Sequence, residues 1–350
     1  MKIIKVVDLF CGIGGLTNGL QHAGLNVVAG FDMDESCKFA YEANNKAKFY
    51  HKDINQLSAK EVNGKFEGAD IKVLVGCAPC QPFSSYNYKG EGVEEKKWQL
   101  LYHFARLIKE TAPDIVSMEN VPQLINFKKA PVLEDFIKIL TQLGYQVSYK
   151  IVFAPDYGVP QKRKRLILLA SKLGNINLIS PTHKKNEYIT VRKAIGKLPY
   201  LTHGETDPTD FVHKTSKLSE LNIKRIKLSK PGSSWKYDWN EDLIMNCHKK
   251  DSGKTYGSVY GRMVWDEPSP TITTFCTGIG NGRFGHPEQD RAISLREAAI
   301  LQSFSRKYKF AKNKELLKTS IIARQIGNAV PPKLGEIIGI SINKHLEELL

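Results

Sequence analysis

The chain has 350 residues, 41% of them hydrophobic and 25% charged, the balance of a globular protein with ample apolar material for a core of one large domain or two. Lys and Arg exceed Asp and Glu by 51 − 36, a formal net charge of +15, which favours a polyanion such as nucleic acid as partner. No run approaches the roughly 18 apolar residues of a membrane span, and the opening MKIIKVVDLF meets an aspartate before a signal-peptide core could form; a cytoplasmic protein without a membrane anchor is expected.

Residues 2–10 predict a strand, and 15–24 a short helix stopped by Gly24. A second strand follows at 26–32, a second helix at 34–45 and a third strand at 71–76. A helix over 96–110, a strand over 114–120, a helix over 131–143 and strands over 145–153 and 165–171 continue the alternation. Strands separated by helices at this spacing predict an α/β fold with a doubly wound, mostly parallel sheet. In such sheets ligands bind beyond the carboxyl ends of the strands. Asp8, Asp32, Cys80 and Glu119 fall at or just past such ends. The pattern breaks near Ser180, and 181–265 is rich in Lys, Thr, Ser, Pro and Gly with short apolar runs. Helical periodicity returns at 294–304 and from Lys333 onward. The expected organisation is an α/β domain over 1–178, a smaller irregular domain over 179–268, and a segment over 269–350 that rejoins the first.

The stretch DLFCGIGGLTNG follows the first strand and opens the first helix. Gly12 and Gly14 fit a dinucleotide fingerprint, but Thr17 stands at its third glycine, and no GK[ST] of a phosphate loop is present. A tight glycine turn without those marks suits a nucleoside ligand whose charged part is not pyrophosphate; S-adenosylmethionine is such a ligand. Asp32, ending the second strand, is placed to accept hydrogen bonds from ribose hydroxyls, and Asp53 from an adenine amino group. Further on, GCAPCQPFS at 76–84 sets Cys77 and Cys80 three apart. Cys11, Cys37, Cys247 and Cys276 supply no second CxxC, so a zinc ribbon lacks half its ligands and no metal is expected. A redox pair, or one nucleophile beside one packing residue, both remain open on spacing alone.

Read in order, DLFCGIGG (8–15), GCAPCQPFS (76–84), MENV (118–121), QKRKR (161–165) and QIGNAVPP (325–332) make the chain resemble the C5-cytosine-specific DNA methyltransferases. The resemblance implies the S-adenosylmethionine-dependent methyltransferase fold, with 1–178 catalytic and 179–268 a target-recognition domain. It implies S-adenosylmethionine as cofactor, double-stranded DNA as partner, and methyl transfer to carbon 5 of a flipped-out cytosine through a cysteine adduct at carbon 6. Cys80 aligns with the family nucleophile, which leaves Cys77 as a buried packing residue. Glu119 aligns with the residue that binds ring nitrogen 3 and the exocyclic amine; Arg165 would support the base oxygen and Arg163 orient the loop. Phe10, stacked on adenine, would join Gly12, Gly14, Gly15, Asp32, Asp53 and Asn328 at the cofactor. Gln81 and Ser84 would meet the DNA, on a mobile loop over 81–97 that closes on the base.

Basic and aromatic residues interleave in KRIKLSKPGSSWKYDW (224–239), which predicts phosphate contact there. Two departures from the family pattern stand out: Asp32 where many members have glutamate, and an alanine in 295–308 where a cysteine is frequent. The alternatives are an RNA cytosine methyltransferase on the same fold and a non-catalytic DNA-binding relative. A compact chain without regulatory domains resembles a prokaryotic or phage modification enzyme, expected to act as a monomer.

Overall fold

The computed structural model describes residues 2–79, 93–127 and 130–349, with side chains throughout except at 93–98. Two compact units emerge: Met1–Tyr157, Lys164–Thr182 and Ala329–Leu350 form the first, Gly158–Arg163 and His183–Asn328 the second.

The first unit is built on seven strands, β1 (Ile4–Leu9), β2 (Val27–Asp32), β3 (Lys48–His51), β4 (Ile71–Gly76), β5 (Ile115–Asn120), β6 (Gln146–Phe153) and β7 (Lys164–Ser171). Their order is β3-β2-β1-β4-β5-β7-β6. β1 to β5 pair in parallel, as the alternation with helices predicts, while β7 is antiparallel to both β5 and β6. Residues 154–163 are too few for a crossover of about a dozen residues, so the chain turns back and β7 runs against its neighbours. The start of β7 therefore lies beside the end of β5, with Asn120 opposite Leu166 and Glu119 opposite Ile167.

The helices of this unit begin with α1 (Gly15–His22), α2 (Lys38–Asn44), α3 (Ala59–Asn63), α4 (Val93–Thr111) and α5 (Val132–Gln142). Leu9, Leu74, Met118 and Leu168 of the sheet pack with Phe104 and Leu107 of α4 and Phe136 and Leu140 of α5 in one core. Successive strand residues face opposite sides, and the alternate Val6, Val73 and Val75 are buried as well, so the sheet is covered on both faces.

The second unit holds α6 (Val191–Ile195), α7 (Glu220–Leu228), α8 (Trp235–Asp238), α9 (Asn246–Lys249), α10 (Asp251–Lys254), α11 (Leu295–Leu301) and α12 (Thr319–Asn328), joined by isolated bridges. Buried backbone carbonyls need donors, and here arginines supply them. Arg262 donates to the carbonyls of Ile226, Ser229, His286 and Gln289. Arg291, fully buried, makes two hydrogen bonds of 2.7 Å to Glu297. Burial would raise the Glu297 carboxyl, but the Arg291 guanidinium outweighs it and holds it at about 2. Beside them, His286 is held neutral: burial lowers it to about 4, and its Nδ1 already accepts the N–H groups of Glu288 and Gln289.

Residues 269–328 pack within this second unit, and only Ala329–Leu350 return to the first; the boundary expected at 268/269 thus differs from the observed one. The reason is local. Ser269 exchanges backbone hydrogen bonds with Pro160 and Lys162, and Gly327 lies so close to the Thr273 backbone that a Cβ would sit 2.4 Å from its carbonyl carbon.

The returning helix α13 (Pro332–Glu347) docks on α1. A Cβ on Gly19 would lie 2.1 Å from the Pro332 carbonyl oxygen, and one on Gly335 would lie 2.8 Å from that of Leu16. Glycine on both helices is what lets the backbones meet.

Candidate active site

The glycine loop leaves β1 after Leu9. Phe10 and Gly12 take φ of 59° and 50°, and Gly14, at 85°, caps α1. Gly14 has no substitute: besides its left-handed backbone, a Cβ there would fall 2.4 Å from Asn45 Nδ2. A phenylalanine in this region carries a strain of about 1–3 kcal/mol of the kind that gathers at functional sites. The Phe10 ring sits edge-on to Phe104 at 6.5 Å.

β2 lies beside β1, and its last residue reaches the loop. Asp32 Oδ2 accepts the Gly12 N–H at 2.8 Å and Oδ1 accepts that of Asp34 at 2.8 Å. Burial raises the Asp32 carboxyl, with these two donors opposing. Beneath the loop, Thr17 donates to Asp8 Oδ2 at 2.7 Å and receives the Tyr41 hydroxyl at 3.0 Å. The threonine that breaks the dinucleotide fingerprint thus ties α1 to β1. Asp8 Oδ1 is buried without a hydrogen-bond partner, and burial pushes this carboxyl up to about 7. At Gly12 the loop opens: an added Cβ would meet nothing within 4 Å. Gly15 is buried as the first residue of α1. Asp53 accepts the Asn55 N–H at 3.0 Å in a local turn after β3.

A second cluster forms where β4, β5 and the start of β7 share one edge. Glu119 is 3% exposed, and its Oε1 lies 3.0 Å from Nε of Arg165, whose side chain is 12% exposed. The charges are adjacent but no N–H is aligned on Oε1, which is buried without a hydrogen-bond partner. Oε2 receives the Cys77 thiol at 2.8 Å. Cys77, expected as a buried packing residue, is instead half-buried and in contact with the carboxylate, because Gly76 at the end of β4 pairs with Met118 and the next residue of each strand is Cys77 and Glu119. Asn120 donates to the Ala78 carbonyl at 3.2 Å, and its Oδ1 accepts the N–H of Val121. It ties the segment leading to Pro79 down onto β5. Nothing in the spacing of MENV (118–121) marks Asn120 for this role, which depends on the neighbouring strand.

The expected residues thus gather as Asp32 with Gly12, and Glu119 with Arg165. Arg163 and Asn328 belong to the second unit. Arg163 is buried and donates to the carbonyls of Ile272 at 3.2 Å and Gly327 at 3.3 Å; Asn328 is the exposed last residue of α12. Cys80, Gln81 and Ser84 lie outside the described residues, as do 81–92 of the expected loop, while 93–97 already belong to α4. In the basic stretch 224–239, Arg225 is buried, donating to the Leu243 carbonyl with its guanidinium 5.3 Å from the Trp239 and Tyr260 rings. It packs the interior and is not available to phosphate. Among the described residues no group of three or more His, Cys, Asp or Glu side chains could hold a metal ion, and no described helix is long and apolar enough to cross a membrane.

The model of the C-5 cytosine-specific DNA methylase family matches residues 4–344. The chain belongs to that family. The methylase is 54% identical over 344 residues to the Type II methylase M.HgiDII of Herpetosiphon aurantiacus, covering 98% of this chain and 96% of the relative. It is 30% identical over 357 residues to the Type II methyltransferase M.Eco47II of Escherichia coli, covering 99% and 81%. Among solved structures, a protein described as an E. coli prophage-encoded DNA modification methyltransferase matches with a TM-score of 0.75 at 22% identity, over 98% of this chain and 99% of that one; this is a likeness of fold. The methylase is a DNA (cytosine-5) methyltransferase, so the RNA alternative and the non-catalytic alternative fall away. Its substrate is DNA, and its reaction takes a methyl donor.

Proposed function

We propose that the methylase uses S-adenosylmethionine as methyl donor, Cys80 as nucleophile, and Glu119 with Arg165 to activate the cytosine. The observation that carries this reading is the buried Glu119–Arg165 pair at the sheet edge where β4 delivers the segment toward Cys80. When bound, the donor supplies an electrophilic methyl group on a sulfonium. The residues present fit such a ligand. Gly12 opens onto free space beside Asp32, whose oxygens each keep a lone pair beyond the backbone N–H they accept. Asp32 would take the ribose hydroxyls, Asp53 the adenine amine and Phe10 an adenine face. Gly12, Gly14 and Gly15 would shape the turn, and Asn328 would complete the site.

Carbon 5 of cytosine is a poor nucleophile while the ring is aromatic. The Cys80 thiolate adds to carbon 6, and the electron pair of the 5,6 double bond moves to carbon 5. Glu119, in its protonated form, would donate to ring nitrogen 3 and offset the growing negative charge, and Arg165 would stabilise it at the base oxygen. The electron pair on carbon 5 would then take the methyl group, whose bond to the donor's sulfur breaks with its electrons left on sulfur. Loss of the carbon-5 proton to a base restores the double bond and expels the thiolate. Arg163 would hold the loop before β7 in place. The carbon attacked is inaccessible in a stacked duplex, so the cytosine is flipped out, with Gln81 and Ser84 contacting the DNA.

Recognition of the target sequence is assigned to 179–268, of which His183 onward lies in the second unit. Every residue given a role above lies on one chain, which supports a monomer. The likeness to bacterial Type II methylases supports a cytoplasmic modification enzyme on double-stranded DNA, prokaryotic or phage-encoded.

Duplex DNA with 5-fluorocytosine at the target tests the reading. Fluorine does not leave as a cation, so the final elimination is blocked and a denaturation-resistant adduct mapping to Cys80 is expected. Cys80→Ser abolishes it, because a hydroxyl is far less ionised than a thiol of pKa ~8.5. Trapping that survives Cys80→Ser in folded protein overturns the assignment.

A further inference from the structure

Glu119 is buried, yet only one of its oxygens is tethered by a hydrogen bond. Oε2 holds the Cys77 thiol at 2.8 Å, whereas Oε1 faces the Arg165 charge at 3.0 Å with no donor aligned on it. A carboxylate turns about its last torsion with little resistance, and the thiol bond removes that freedom. It leaves Oε1, with its hydrogen-bonding capacity unspent, as the oxygen presented to a substrate. Cys77 itself is fixed from both sides: its N–H reaches the Leu9 carbonyl at 3.4 Å, and the next carbonyl, of Ala78, is held by Asn120.

We infer that Cys77 is a positioning residue for the methylation reaction: its thiol orients the Glu119 carboxyl group toward the cytosine ring. This rests on the role proposed above for Glu119. The segment that follows β4 thereby sets the group that activates the base. A thiol is a weak donor, and its removal from a half-buried position disturbs the fold little while freeing the carboxylate.

Steady-state kinetics on duplex DNA test this with five variants: Cys77→Ala, Cys77→Val, Cys77→Ser, Glu119→Gln and Cys77→Ala combined with Glu119→Gln. Cys77→Ala and the volume-filling Cys77→Val should each lower kcat about tenfold, the loss expected of one hydrogen bond to a charged group. The KM values for DNA and donor should stay within about twofold, since an interaction that acts in the transition state moves kcat and leaves binding alone. Cys77→Ser keeps a donor and should recover most of the rate. On the Glu119→Gln background, Cys77→Ala should cost nothing more, because the pair acts as one unit. Melting temperatures identify any variant that fails to fold; Cys77→Val and Cys77→Ser then decide the question. Wild-type kcat in Cys77→Ala or Cys77→Val, no recovery with serine, or an undiminished loss on the Glu119→Gln background overturns the inference. Full activity of Glu119→Gln would instead overturn the proposed function on which it rests, so the two failures are told apart.

Discussion

At the scale of single residues, the carboxylate of Asp32 already has two occupants, the backbone N–H groups of Gly12 and Asp34. These two bonds shape the glycine loop, and the ribose contact proposed for Asp32 would use the lone pairs that remain. Asp32→Ala would remove the loop bonds and the proposed ribose contact together. Calorimetry should show donor affinity falling by at least the value of one hydrogen bond to a charged group, ~1.5–3 kcal/mol, with DNA affinity in the absence of donor nearly unchanged. Unaltered donor binding would mean the cofactor lies elsewhere. The place of Asp32 at the end of β2 was legible in the sequence, because the apolar run before it predicts where that strand stops. The Cys77–Glu119 contact was not, since it joins residues 42 apart and depends on the pairing of Gly76 with Met118. Spacing within one segment carries no information about that register.

At the scale of elements, the packing of α13 on α1 holds the helix that the glycine loop opens. Intrinsic propensity favours Ala over Gly inside a helix by about 1 kcal/mol. At Gly19 the opposite sign is expected. A Cβ 2.1 Å from the Pro332 carbonyl oxygen meets backbone, which no rotamer change relieves, so the helices must part. Overpacking of this kind costs about 1–3 kcal/mol or more. Urea denaturation of Gly19→Ala should show a lower midpoint by a margin that exceeds the propensity gain; a midpoint at or above that of the wild type would show that the two helices separate freely. The long elements of the first unit were legible: β4 spans Ile71–Gly76, as its apolar run predicts, and α5 spans Val132–Gln142 within the expected 131–143. β3 has four residues and α3 five, too few for either period to register. The second unit was legible only as irregular. Its order comes from side chains such as Arg262 and Arg291 that bond distant carbonyls, and hydrophobic periodicity does not report such bonds.

For the molecule as a whole, the net charge of +15 supports association with DNA, but it does not locate the contacts. The structure narrows the basic stretch 224–239 considerably. Arg225, Trp235 and Trp239 are buried in the second unit, where they build its interior. Lys224, Lys227, Lys230 and Lys236 remain exposed, together with Tyr237, which is 85% exposed. An exposed tyrosine among lysines suits a surface that meets phosphate and a sugar or base together. Replacing Lys224, Lys227 and Lys230 together by Gln should weaken DNA binding and flatten its salt dependence. Each neutralised phosphate contributes about 0.9 to the slope of log affinity against log salt, so removing three such lysine charges should reduce the slope by roughly 2–3. Fluorescence anisotropy on a target duplex across a salt series measures this directly. Arg225→Gln should behave differently: it removes a buried guanidinium and its bond to Leu243, so thermal stability falls. In protein that remains folded, the salt slope should hold. A triple-lysine variant with the wild-type slope would remove this surface from the DNA interface and assign phosphate binding to another basic face.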